Sequence, residues 1–96
     1  MELHIFARFH ARPGNEAALA DTLRAVVAPT REEPGCVSIN AFRSTRDPQL
    51  HFIHSRWTDA AAFERHAGLP HTVRFIERVQ LLVDQPLDIQ RTELIV

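Results

Sequence analysis

Residues 52–71 read FIHSRWTDAAAFERHAGLPH, and this stretch decides how the chain folds. FIHSRW alternates apolar and polar side chains, the two-residue period of a strand. Thr58 and Asp59 turn the chain, with Asp59 an N-cap for the Ala-rich helix expected over 60–67. Gly68 is expected to stop that helix in a left-handed conformation, and Pro70 to block its continuation. One strand and one helix thereby carry Trp57, His66 and His71 towards a common edge, where they form the only concentrated aromatic and titratable group in the chain.

Outward from this unit, the same periods recur. From Glu2 to Ala11, Leu3, Ile5, Ala7 and Phe9 alternate with His4, Phe6, Arg8 and His10, which is again a strand, with the odd-numbered face as core. Arg12-Pro13-Gly14-Asn15 is a turn, and Asn15-Glu16 opens a helix whose Leu19, Leu23, Val26 and Val27 form one buried stripe. Pro29 thins its last turn and Pro34-Gly35 closes it. Cys36 to Ser44 is a second strand with Val37, Ile39 and Ala41 on one face. Thr45-Arg46-Asp47-Pro48 then joins it to Leu50–Trp57 as a hairpin. Beyond residue 71 a helix is expected over 72–82, with Val73, Ile76 and Val79 or Gln80 on one side. A last strand follows Pro86, with Leu87 and Ile89 inward. Leu94 and Val96 are in the opposite phase, which predicts a bulge or edge irregularity near Arg91 to Glu93.

The order β-α-β-β-α-β describes one α+β domain over 1–96, ferredoxin-like, with an antiparallel sheet and its helices on one face. The bare face would carry Phe6, Arg8, Phe42, Phe52, His54 and Arg56, a mixture that suits a protein interface. A core this small gains from pairing, so a homodimer through the sheet face is expected.

Composition excludes several classes. The net charge of −1 gives no reason to expect nucleic acid or an anionic membrane. No apolar run is long enough for a signal peptide or a span, and the single Cys36 permits no internal disulfide, so a cytoplasmic protein is expected. All 11 basic residues are arginine, which removes the Schiff-base lysine, and with no tyrosine proton transfer falls to His, Asp, Glu or Cys36. Cys36, at a strand start, reads as a small buried hydrophobe. His51 and His54 point to opposite faces of one strand, and His66 and His71 lack one-turn helical spacing. No metal site is expected from either pair.

Several segments together resemble the antibiotic biosynthesis monooxygenase family: Ala7-Arg8-Phe9 before Pro13-Gly14, Thr30-Arg31-Glu32-Glu33-Pro34-Gly35-Cys36, Phe42-Arg43-Ser44 with Asp47-Pro48, Arg56-Trp57, and His66 with Leu69-Pro70-His71. The resemblance implies a dimeric α/β barrel and a cofactor-independent oxidation of a small aromatic quinol or anthrone-type substrate by O2. Such chemistry needs a dry apolar pocket, a stacking surface and a base poised near neutral pH. His66 is the candidate base and Trp57 the candidate stacking residue. Ile53, Ser55, Phe63 and Phe75 are candidate walls, with His71 and Arg74 as further substrate contacts. Each has a structural reading too: Trp57, Phe63 and Phe75 as core, His66 as a helix C-terminal residue, His71 as a cap, Arg74 as a solvated side chain. The family commonly has Glu two residues before its tryptophan, where this chain has Ser55, so the carboxylate's role passes to a histidine or is lost. Heme-degrading relatives are the rival, although Ala7 stands where they carry Asn. A non-catalytic ligand binder or an isomerase is the remaining alternative.

Overall fold

The computed structural model describes all 96 residues. Its elements run β1 (Leu3–His10), α1 (Glu16–Arg31), β2 (Cys36–Arg43), β3 (Leu50–Trp57), α2 (Ala60–Ala67), α3 (Pro70–Gln80) and β4 (Asp88–Thr92). The antiparallel sheet has the order β2-β3-β1-β4, so the alternation that marks each strand assembles into the ferredoxin-like arrangement. β1 and β3 pair along their whole length, from Leu3 opposite Trp57 to His10 opposite Leu50. Ile5, Ala7 and Phe9 therefore share a face with Ile53, Ser55 and Trp57, and all six are buried beneath the helices. No helix is long and apolar enough to cross a membrane.

α1 buries Leu19, Leu23, Val26 and Val27, the stripe its spacing predicts. The helix runs through Pro29 to Arg31, where the guanidinium donates to the Ile39 carbonyl and the Asn40 side chain and so anchors it to β2. Asp59 caps α2 as expected, accepting from the Ala62 N–H at 2.9 Å. Asn15 precedes α1 without a side-chain cap; Glu16 instead accepts from the Gly14 N–H.

Four expectations need correction. Gly68 is right-handed, with φ of −94°, and the left-handed glycines are Gly14 and Gly35. Pro70 serves as the first residue of α3, where its missing N–H costs nothing, so that helix starts two residues earlier than expected and points Val73 to solvent. Val37 is turned outward by a bulge between Cys36 and Ser38. β4 keeps one register against β1 and ends at Thr92, so the irregularity expected near Arg91 to Glu93 is the end of the strand and not a bulge, and Leu94 to Val96 lie exposed beyond it.

Candidate functional site

The side chains on the inner face of β1 and β3 do not fill all the space beneath α2 and α3. A cavity of about 140 Å³ remains, with Ile5, Ala7, Phe9, Ile39, Ile53 and Ile89 from the sheet and Phe63, His66, Thr72, Phe75 and Ile76 from the helices among its walls. Ser55 and His66 are among its few polar contributors. Of the predicted site residues, Ile53, Ser55, Phe63, His66 and Phe75 are thus brought together on one cavity wall or another.

Trp57 is placed differently. Its side chain is 0% exposed and stands behind the wall, its ring 4.8 Å from His66 and edge-on to Phe63 at 5.7 Å. Its Nε1–H donates to the Ser55 hydroxyl at 3.0 Å. These two residues project from the same strand face, so Ser55 satisfies an otherwise buried indole donor. The tryptophan reaches the cavity through His66, whose ring it braces, and offers no stacking surface of its own. His71 and Arg74 lie outside the cavity too, on a separate open groove between α1 and α3 that Asp21, Thr22 and Arg78 also line.

Sequence spacing kept His66 and His71 apart, but the elbow at Gly68–Pro70 sets them on successive helices with ring centroids 6.1 Å apart. Between them sits Glu33, which no local pattern marks. One carboxylate oxygen, Oε2, lies 2.8 Å from His66 Nδ1 and 2.7 Å from His71 Nε2. The carboxylate is 8% exposed, so this is an enclosed, charge-assisted pair of hydrogen bonds. It is held there by the turn that ends α1: Gly35 adopts φ of 88° and its carbonyl accepts from the Thr58 N–H at 2.9 Å, which staples the turn to the start of α2. Only the run Thr30–Cys36 hinted at Glu33, and it did so as part of a family pattern.

An ionised carboxylate can only accept, which fixes His66 as the Nδ1–H tautomer and leaves a lone pair on Nε2. Nε2 has no hydrogen-bond partner in the chain, and it is not among the nitrogens sealed from accessible space. The Thr72 hydroxyl lies 3.2 Å from Nδ1 and further fixes the ring. Cys36 packs into both apolar clusters beside this site. Burial, then the Glu33 carboxylate, push its thiol pKa up, which suits an inert hydrophobe.

The family model for "Antibiotic biosynthesis monooxygenase" matches residues 3–78, a span that takes in Glu33, both histidines and every cavity-lining residue except Ile89. The chain belongs to the antibiotic biosynthesis monooxygenase family. Within that family, "Putative monooxygenase Rv0793" of Mycobacterium tuberculosis is 32% identical over 83 residues, covering 86% of this chain and 81% of the relative. The solved structure of Rv0793 superposes with a TM-score of 0.94 at 27% identity, over 100% of this chain and 97% of that one. PA3566 from Pseudomonas aeruginosa, at 34% identity and a TM-score of 0.91, covers 99% of this chain and 95% of its own. Membership explains the ferredoxin-like order; the Glu33 clamp is read from this chain's own geometry.

Proposed function

We propose that the protein is a cofactor-independent monooxygenase that oxidises a small, single-ring quinol with O2. The observation that carries this reading is the free Nε2 of His66, held by Glu33 through Nδ1, at the wall of a mostly apolar cavity. The volume selects within the substrate class. A cavity of about 150 Å³ lined by apolar side chains accommodates benzene, and the cavity here is about 140 Å³. A single aromatic ring fits this space, whereas a tricyclic anthrone or a porphyrin does not without the helices moving apart.

In the proposed reaction His66 Nε2 takes the phenolic proton, and Glu33 stabilises the imidazolium that results. The electron-rich anion passes an electron to O2, and the radical pair recombines on the ring. One oxygen atom enters the ring and the other leaves as water, so quinol and O2 give hydroxyquinone and water with the substrate supplying every electron. Phe63, Ile53 and Phe75 exclude bulk water, which strengthens the His66–Glu33 interaction.

The proposed assembly is a homodimer. Phe6 and Phe42, 51% and 52% exposed, flank Phe52, His54, Arg8 and Arg56 on the sheet face that no helix covers, and apolar surface of this kind favours a second sheet packed against it.

Oxygen uptake with a panel of quinols tests the activity. Single-ring quinols are expected to turn over and tricyclic ones not, with His66→Ala slower by at least about 100-fold, as for loss of a general base. Equal rates in the two proteins would remove His66 from the mechanism, and no uptake with any quinol would overturn the reading.

A further inference from the structure

Glu33, His66 and His71 form more than a hydrogen-bonded clamp. One donor atom from each lies within 4.8 Å of the other two, and the three come from three separate places: the turn after α1, α2 and α3. We propose that they constitute a binding site for a single divalent cation of the borderline class, such as Zn2+ or Co2+, at the junction of the inner cavity and the outer groove.

The donor set selects the ion. Two imidazoles and one carboxylate suit Zn2+, Co2+, Ni2+ or Cu2+, and disfavour Mg2+ and Ca2+, which require oxygen shells. Three protein ligands with a fourth position left for water is the arrangement of open zinc sites. Bonds of about 2.0–2.2 Å in a tetrahedron separate ligand atoms by roughly 3.3 Å. The carboxylate oxygen, 2.7 and 2.8 Å from its imidazoles, must withdraw by about half an ångström from each, and the two imidazole nitrogens, within 4.8 Å of each other, must close towards the same spacing. Rotation of the Glu33 side chain supplies the first movement and rotation of the two rings the second. His66 is already oriented by the Trp57 ring at 4.8 Å and the Phe63 ring at 5.8 Å, which restrict its ring.

His71 lies on the wall of the open α1–α3 groove, which gives an ion an entry path. Arg74 and Arg78 line the same groove and oppose cation approach, so affinity rests on chelation and not on electrostatic steering. Occupancy has a chemical consequence that rests on the proposed role of His66. Ligation through Nδ1 shifts that ring's proton to Nε2, so Nε2 becomes a donor and the base is lost. No net proton needs to leave either neutral ring.

The test is titration of the metal-free full-length protein with Co2+ followed by visible absorption, and with Zn2+ followed by calorimetry. One equivalent per chain, with the intense d–d bands of four- or five-coordinate cobalt, is expected. Glu33→Gln and His71→Gln should each weaken binding at least about 10-fold, while His54→Ala, which removes the part-buried His4–His54 pair on the opposite sheet face, should leave it unchanged. Binding lost in His54→Ala but kept in Glu33→Gln, or no binding by the wild type, would overturn the proposal. The consequence for catalysis is read separately: Zn2+ should suppress quinol-dependent oxygen uptake and a chelator restore it. If no quinol is oxidised at all, the catalytic reading fails while the titration still decides the cation site. If quinol oxidation persists in the Zn2+-loaded protein, the link between the two fails.

Discussion

Glu33 shows what a single residue contributes and why it was not legible. It is 33 residues from His66 and 38 from His71 in the chain, so periodicity and local spacing carry no trace of the pairing. What brings it under the histidines is the turn at Gly35. A Cβ there would approach Ala62 Cβ to 2.5 Å and Thr58 Oγ1 to 3.1 Å, on a backbone at φ of 88°. Gly35→Ala is therefore expected to lose about 2–4 kcal/mol, from the left-handed strain and overpacking together, measured by urea denaturation. Little change would show that α2 can shift freely. His51 is a second case. It is buried, its Nδ1 reaches the Gln49 carbonyl at 3.3 Å, and Nε2 has no partner. An orphaned buried nitrogen costs about 1–3 kcal/mol, so His51→Leu is expected to raise the melting temperature. Burial pushes the His51 pKa below its ordinary 6.5. The unfolded chain then takes up the proton first, so stability is complete above 6.5 and is lost as pH falls through the lower folded value. A thermal-melt series from about pH 7.5 to about pH 5 should show a shallower decline in His51→Leu than in the wild type.

Among the elements, the strands were legible because each has one buried face, and a buried face imposes its period on the residues. Departures occur where the burial stops. Val37 escapes alternation because the bulge lies at the exposed start of β2, and Leu94 and Val96 pack against nothing, so their phase predicted a strand that is not there. At the α2–α3 elbow Gly68 stays right-handed, and Pro70 separates the helices by starting the next one. The element that matters most to the site is α2, only eight residues long and carrying His66 and Phe63. Two turns are marginal on their own, which makes the Asp59 cap important. Asp59→Ala is expected to cost about 1 kcal/mol of stability. Because α2 forms one wall of the cavity, hydrogen exchange at its amides should rise more than in α1; a uniform change across the helices would count against a local role.

At the scale of the molecule, helices cover one sheet face and leave the other carrying aromatic rings. His54 shows what lies there: its Nε2 is 3.1 Å from His4 Nδ1, and Phe6 packs on its ring at 4.8 Å. Burial, then His4 and Arg56, push the His54 pKa below 6.5. A partner sheet would desolvate this pair further, so the neutral rings favour association and the proposed dimer should weaken as pH falls through 6.5. Sedimentation of the wild type at neutral and acidic pH, beside a Phe6→Arg, Phe42→Glu double variant expected to be monomeric, tests this. A double variant that sediments like the wild type would exclude this face as the interface. Fold order was readable from element periods alone, whereas the contents of the cavity were not, since its walls combine residues from all seven elements, whose juxtaposition exists only after folding.

The chain has one tryptophan and no tyrosine, and that tryptophan is enclosed against His66. Fluorescence from the native protein therefore arises from a single place, with the blue emission of a dry indole and an intensity sensitive to the protonation of the neighbouring imidazole. The molecule carries a built-in optical reporter, one that needs no label and that dims or brightens with whatever reaches His66.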